Sequence, residues 1–462
     1  MSAIISVFFT LIAAFIIAIS PKKYKSYLSI SALGITFALS LASVSLALGH
    51  KELIFSRYFN DWFSLSFVLD GLSAFMAAVS SGVAFLILLY SREYMEEYAE
   101  GGDFYFWTVL FVGAMMGLVY SANLLLLFCF WEVTSVCSWR LIGFYRQEKD
   151  IKAADKAFLV TFFGASLLLV GIILVYLNHG TLEIGQLKGK TLSDLAAFLI
   201  LAGVISKSAQ LPLQTWLPDA GVAPTPVTAL LHAAVLVKIG IYAFARIFGL
   251  TLVSSPLFLN TVLVISVITI LVAAGSALVE NNLKRILAYS TISQLGYILL
   301  CLALNTGLSF QIALLYILSH SLAKAGLFLC VGIVEHKTGT KDIRQLGGLY
   351  KTMPYTGLAY LLCAFSIIGI PPFLGFWPKF FVVLFALQAG HLLAGSLVIL
   401  GALFTLFYLM RLFKQVFLGE EKIRAQEGRR SVMVGVVLFL GILSLILGLL
   451  PGLAFKLVDW IK

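Results

Sequence analysis

From "SAIISVFFTLIAAFIIAI" at residues 2–19 to "VMVGVVLFLGILSLILGLL" at 432–450, runs of about twenty apolar residues follow one another along the chain. Each is long enough to cross a hydrocarbon layer ~30 Å thick as a helix, which satisfies its backbone polar groups internally where no water can. Composition supports the same reading. Only 12% of the residues are charged and 61% are hydrophobic, whereas a soluble domain carries about 25% charged residues. The outer surface must therefore face lipid, and the predicted fold class is an all-α polytopic membrane protein. The first apolar run has no basic segment before it and no small-residue cleavage site, so it is kept as a span rather than a cleaved signal. The five cysteines, Cys129, Cys137, Cys301, Cys330 and Cys363, lie inside apolar runs without C-x-x-C spacing. They read as buried packing groups, not as ligands of a metal cluster.

About fourteen transmembrane helices are predicted, over 3–20, 28–49, 64–90, 104–122, 123–145, 157–177, 194–217, 227–248, 257–279, 284–304, 309–334, 356–386, 391–417 and 433–457. The seventh contains Pro212 and Pro218, the twelfth Pro371 and Pro372, and both are expected to be broken. The loops "PKKYK", "YRQEKDIKAADK", "NNLKR", "HKTGTKDIR" and "RLFKQVFLGEEKIRAQEGRR" fall on one side. That side collects twenty of the 32 lysines and arginines. The other side has seven: Lys51, Arg57, Lys188, Lys190, Arg246, Lys456 and Lys462. By the positive-inside rule the basic side is cytoplasmic, and both termini are expected outside. This asymmetry accounts for the net charge of +10, and nothing calls for a nucleic-acid partner.

Several features return after about 160 residues. Pro212, Trp216 and Pro218 are echoed by Pro372, Trp377 and Pro378, "ARIF" at 245–248 by "MRLF" at 410–413, and Asn123 by Asn282. Helices 4–8 would repeat as helices 9–13. Five is odd, so the two repeats would be inverted, an arrangement in which sites gather at broken helices. The domains expected are a three-helix N-terminal segment (1–103), a first repeat (104–248), a second, inverted repeat (249–417) and a C-terminal helix (418–462).

The chemistry concentrates in seven ionisable residues near the middle of spans: Glu132, Lys207, His232, Lys238, His320, Lys324 and Lys379. A lysine or carboxylate there costs about 2.5–3.5 kcal/mol on insertion scales, so these groups must be paired, hydrated or neutralised. A buried lysine is pushed toward neutrality by desolvation and back by a carboxylate, which is what a proton relay needs. Lys207, in "ISKSAQLPLQTWLPDAG", sits where prolines free backbone carbonyls. The bland alternative is that some of these side chains are merely hydrogen-bonded core groups. It applies most to His232 and then to His320 and Lys324, which lie four apart on one helical face. Arg140 is expected to snorkel toward the cytoplasmic end, and Asp70 to tie helices together.

"FWEVTSVCSWRLIGF", "KSAQLPLQTWLPDAGVAPTPVTALLHAAVLVKIGIY", "NNLKRILAYSTISQLGY", "SHSLAKAGLF" and "GIPPFLGFWPKF" resemble the signature segments of the antiporter-like family. That family includes the proton-pumping membrane subunits of respiratory complex I, the large subunits of Mrp-type sodium/proton antiporters, and homologues in membrane-bound hydrogenases and sulfane reductases. The resemblance runs from about residue 65 to 415. It implies that Glu132 is the fifth-helix glutamate and Lys207 its partner on the broken seventh helix. It also makes His232 and Lys238 the eighth-helix pair, His320 and Lys324 axial residues of the eleventh, and Lys379 the twelfth-helix position. Protons, with sodium as a second candidate ion, would pass along a hydrated axis joined to two half-channels. The chain itself would carry no cofactor and perform no redox chemistry. The transport would be driven by a redox module of complex I, membrane-bound hydrogenase or sulfane reductase type, whose partner subunits would hold iron–sulfur clusters, flavin or nickel–iron. The alternative is a Mrp-type sodium/proton antiporter subunit. Either way the chain would sit among other membrane subunits of a complex I-like, hydrogenase-like or Mrp-like assembly in the cell membrane. Two features are expected to depart from the pattern: Arg140 stands where an uncharged residue is usual, and the long lateral helix of the largest complex I member is not expected after the fourteenth span.

Three rival functions are set against this reading. A haem-bearing subunit would have only His232 and His320 as central ligands and lacks C-x-x-C-H. A nucleotide-driven pump would rest on "GQLKGKT" at 185–191, which is one residue short of a phosphate loop and follows no predicted strand. A stand-alone solute transporter would use the broken helices, but four mid-membrane lysines suit protons better than a bulky solute.

Overall fold

The structure, a computed structural model, describes residues 2–49, 52–60, 62–98, 101–428 and 431–461. Lys51, Arg429, Arg430 and Lys462, which enter the charge asymmetry, lie outside the described residues. The long helices are α1 (Ser2–Ile19), α2 (Lys22–Gly49), α3 (Gly71–Tyr94), α4 (Gly101–Tyr120), α5 (Leu124–Ile142) and α6 (Glu148–His179). They continue as α7 (Asp194–Lys207), α8 (Thr225–Gly249, widened by π-type turns), α9 (Pro256–Val279), α10 (Leu283–Ala303) and α11 (Gly307–Thr338). The last four are α12 (Pro354–Ile368), α13 (Phe376–Gln388), α14 (Leu392–Phe417) and α15 (Val432–Leu449). Twelve helices among the described residues are long and apolar enough to cross a membrane.

The predicted third span needs correction. Residues 64–69 form not helix but β2 (Ser64–Leu69), antiparallel to β1 (Leu53–Tyr58) in the register Leu53↔Leu69 to Tyr58↔Ser64. "SLSFVL" alternates small polar with apolar residues, a strand pattern that a hydropathy window cannot tell from a helix. Helix α3 starts only at Gly71, where Asp70 caps it and exchanges hydrogen bonds with Ser73 in a capping box. The seventh and twelfth spans are indeed interrupted. Helix α7 stops at Lys207 and the chain re-enters a short helix at Trp216–Asp219; α12 stops at Ile368 and α13 starts at Phe376. Pro212 and the pair Pro371–Pro372 lie within these gaps. Pro218 does not: it sits in the first turn of the short helix, where its missing N–H costs nothing.

Asn123 and Asn282 cap α5 and α10 in the same way, each accepting from two backbone N–H groups. Each also bridges to an acidic residue, Glu183 and Asp342 respectively. Helices α6 and α11 are both 32 residues long, and both end on a left-handed glycine, Gly180 or Gly339.

Burial grades inward and places the site. The most apolar stretches of α8 and α11 are wholly buried and that of α10 nearly so, whereas only a third of the corresponding stretch of α1, α2 and α14 is buried. Helix α7 reaches this centre by packing closely on α6. A Cβ on Gly164 would meet the carbonyl oxygen of Ala202 at 2.9 Å, and one on Gly203 would meet the Leu168 Cβ at 2.6 Å. Small residues that let helix backbones approach are the main route to tight packing in lipid. Gly164→Val is therefore expected to destabilise the fold by about 1–3 kcal/mol through overpacking, read as a lower unfolding midpoint in detergent.

The helix ends gather on two faces. One carries the hairpin, Glu183 beside Ser64 and Asn123, and the Lys188–Glu52 ion pair. On the opposite face Asp219 pairs with Lys156 and Arg285, and Arg285 also holds Glu280. Partial burial pulls the Asp219 carboxyl upward, but hydrogen bonds from Lys156 and Arg285 hold it below its ordinary value. The cross-link is therefore present at neutral pH and is lost only as acid protonates it.

Candidate functional site

Lys207 is the last residue of α7 and fully buried. Past it Ser208 leaves the helix and Ala209 adopts φ 49°, so the backbone groups of this turn need other partners. The Trp216 indole N–H donates to the Ser206 carbonyl at 2.9 Å, and the Gln210 amide donates to Ser208 O and to Ile292 O on α10. Losing a buried partner costs about 1–3 kcal/mol. Trp216→Phe should lower stability by that amount and disorder the break, which hydrogen exchange of the 206–216 amides would report.

The Lys207 ammonium donates to Ser135 Oγ at 2.7 Å and to the Trp131 carbonyl at 3.2 Å, and lies 5.4 Å from the Trp131 ring centroid. It makes no direct ion pair with Glu132, which differs from the expected pairing. The half-buried Glu132 lies within Coulombic range, but its Oε1 has no hydrogen-bond partner among the described residues. The partner that sequence reasoning missed is Ser135, one turn beyond Trp131; a neutral serine among apolar residues carries no charge signal.

One helix inward, α8 is interrupted where Leu230–Ala234 forms a π-type turn and Val235 leaves helical geometry (φ −125°, ψ −75°). His232 lies in that turn, stacked on Phe328 with ring centroids 4.4 Å apart, and neither ring nitrogen has a partner among the described residues. Just past the irregular residue, Lys238 Nζ lies 2.5 Å from His320 Nδ1 of α11. Two basic nitrogens at that distance share a single proton: ammonium can donate to imidazole, or imidazole N–H to amine. His320 Nε2 has no partner among the described residues.

One turn along α11, Lys324 donates to the Leu287 carbonyl at 3.2 Å and lies within Coulombic range of Lys238 and Lys379. Lys379 stands in the first turn of α13 and donates back across the second break, to Ile367 O at 2.7 Å and Ile368 O at 3.1 Å. These carbonyls end α12, where the helix dipole favours a cation. The Tyr297 ring lies 5.0 Å from the same ammonium.

The structure thus brings Lys238 and His320 into contact and sets Lys324 within Coulombic range of both Lys238 and Lys379. Lys207 and Glu132, at the first break, are a separate pair of neighbours within Coulombic range of each other. Neutral polar groups absent from the sequence reading adjoin the second half: Tyr316 donates to Gln294 Oε1 at 2.7 Å, Gln294 to Thr405 at 3.4 Å, and Ser290 and Tyr408 share a bond of 2.6 Å. Also missed is a buried ion pair on the basic face, Lys284–Glu335 at 2.8 Å, with Lys341 on the second carboxylate oxygen. "NNLKR" reads as a charged loop, yet the Asn282 cap draws Lys284 into the first turn of α10. Arg140 leans against Trp107 and Trp139. "GQLKGKT" is a short helical turn and loop held by Gly189 N–H to the Thr251 carbonyl. Among the described residues no group of three or more His, Cys, Asp or Glu side chains could hold a metal ion.

A family profile described as "NADH:quinone oxidoreductase/Mrp antiporter, TM" matches residues 121–405, and one described as "NADH-Ubiquinone oxidoreductase (complex I), chain 5 N-terminus" matches 60–105. The Na(+)/H(+) antiporter subunit A1 of Staphylococcus haemolyticus is 36% identical, over 83% of this chain and 52% of that protein. That of Staphylococcus saprophyticus is 34% identical, over 98% of this chain and 61% of that protein. The chain therefore spans between half and two thirds of the length of these curated relatives. Among solved structures, a chain of the Mrp complex from Dietzia sp. DQ12-45-1b superposes with a TM-score of 0.90 at 25% identity, covering 100% of this chain and 96% of that one. A chain of the membrane-bound sulfane sulfur reductase, an archaeal respiratory membrane complex, shares the fold: TM-score 0.90, 24% identity, coverage 100% and 98%.

Proposed function

Since the chain belongs to the NADH:quinone oxidoreductase/Mrp antiporter family of membrane subunits, we propose that it moves protons across the cell membrane along Glu132, Lys207, Lys238, His320, Lys324 and Lys379. The observation that carries this reading is the 2.5 Å contact between Lys238 and His320. Two groups that share one proton at the buried crossing of α8 and α11 can pass it on without leaving a bare charge in lipid. Unpartnered polar atoms on Glu132, Gln210, His232 and His320 support a hydrated path between the charged groups, because an unsatisfied polar atom in an apolar interior is costly unless water reaches it. His232 flanks the path and is assigned proton transfer with the others.

The axis runs through an inverted repeat, α4–α8 against α9–α14, within 104–248 and 249–417; residues 1–103 and 418–462 flank it. The identical lengths of α6 and α11 support this, as do the matched caps at Asn123 and Asn282 and the paired breaks after Lys207 and Ile368. The basic face is cytoplasmic and both termini lie outside, consistent with fourteen crossings when each broken helix counts once.

The chain works as one membrane subunit of a larger assembly. An ion gradient is preferred over a redox module as the driving force, because the curated relatives are sodium/proton antiporter subunits. A redox-driven assembly, with iron–sulfur, flavin or nickel–iron groups in partner subunits, is the second reading, favoured by the fold shared with the sulfane reductase. Gentle purification from native membranes decides between them. Small membrane subunits, with sodium-dependent proton movement in vesicles, are the expected result. Co-purifying flavin, nickel or iron–sulfur subunits would establish the redox-driven reading, and a solute-dependent monomer would overturn both.

A further inference from the structure

Away from the buried axis, a groove of about 460 Å³ lies open between α2, α3, α11 and α15, with walls almost entirely apolar. Leu41 of α2, Val79 of α3, Leu322 of α11 and Leu443 of α15 line it, with Lys456 and Trp460 at one end. It exists because α2 and α3 touch tightly at one level, where a Cβ on Gly82 would meet the Phe37 ring at 2.7 Å. Beside that contact no side chain among the described residues fills the space between α2, α3 and α15. Lys456 and Trp460 lie past the end of α15, on the hairpin face: a Cβ on Gly71, at the start of α3, would meet Trp460 at 3.1 Å. Among the described residues Lys456 is the one charged side chain lining the groove; it is exposed and has no ion-pair partner there.

Size and charge select the occupant. A flexible hydrocarbon chain fits. At its open end a lysine beside a tryptophan matches the bilayer interface, where an indole sits at headgroup level and an ammonium meets phosphate. We propose that the groove is a binding site for one glycerophospholipid, with an acyl chain between α2, α3 and α15 and the phosphate at Lys456.

The test uses the full chain, purified in mild detergent with whatever subunits accompany it, washed, and supplied with a palmitoyl-oleoyl phosphatidylglycerol. Native mass spectrometry then counts retained lipid. One tightly held lipid per chain is expected. Val79→Trp, which fills the groove, should reduce its occupancy more than ~10-fold, and Lys456→Glu should reduce it about 5-fold. Leu159→Trp, on the lipid-facing side of α6, should leave it unchanged. If Val79→Trp fails to fold, Lys456→Glu, altering only an exposed side chain, decides. The proposal is overturned if the folded groove variants keep the lipid, if Leu159→Trp loses as much, or if a cross-linker on Val79→Cys captures a partner subunit in native membranes.

Discussion

Lys238→Met is expected to stop proton movement through the assembled protein while leaving the fold nearly as stable as before. The two effects separate because the stability terms oppose one another. Removing a mid-membrane ammonium relieves about 2.5–3.5 kcal/mol, whereas leaving His320 Nδ1 without its partner costs about 1–3 kcal/mol. The difference is small, so the unfolding midpoint should hardly move. Transport has no such compensation: the thioether cannot hold a proton, and loss of a proton-transfer group costs about 10²-fold or more in rate. Proton flux in vesicles and thermal unfolding in detergent, measured on the same preparation, check both halves. A large fall in stability with flux intact would make Lys238 a structural group.

The largest loss of stability is expected at Asp70. Its carboxylate forms two hydrogen bonds with the Arg246 guanidinium, at 2.5 and 2.9 Å, tying the start of α3 to the end of α8. The Arg246 side chain is almost wholly removed from solvent and the Asp70 side chain largely so, at 14% exposure. Breaking such a pair from one side leaves an uncompensated buried charge and costs about 3–5 kcal/mol, a large part of the 5–15 kcal/mol typical of a fold. Asp70→Ala should therefore lower the unfolding midpoint sharply, with about 1 kcal/mol of the loss coming from the missing cap of α3. Asp70→Asn keeps the cap and isolates the charge. The double change Asp70→Leu with Arg246→Met should recover much of the loss, because apolar replacements of similar volume remove both desolvation costs. A double variant no more stable than Asp70→Ala would contradict this.

Much of the fold was legible because membrane helices announce themselves by length and hydropathy. The spans read at 257–279 and 284–304 match α9 and α10 within a residue. The breaks were legible for a different reason: proline beside a mid-membrane lysine is costly enough to demand one. The β-hairpin was missed because "SLSFVL" is as apolar as the helix after it, and period-two alternation over six residues is easily absorbed into a span. At the site, the charged residues stood out against an apolar background, and Lys238, His320, Lys324 and Lys379 do converge. What the sequence could not carry was pairing. Nothing in the spacing says that Lys207 bonds to Ser135 rather than to Glu132, or that His320 rather than His232 meets Lys238. Those choices depend on how α5, α7, α8 and α11 rotate against one another. Neutral groups such as Gln294 and Tyr316 gave no signal.

Proton flux through the intact assembly with Lys207→Ala tests the central claim most directly. Lys207 sits where the first break, the Ser135 and Trp131 acceptors and the Glu132 carboxylate meet, and it is the protonatable group of that break in the proposed path. The assembly is reconstituted in vesicles with a pH-sensitive dye inside, and its subunit composition is confirmed equal to that of the unaltered protein. The predicted result is loss of proton movement by about 10²-fold with assembly intact. Flux equal to that of the unaltered protein would show that the buried string is not the path.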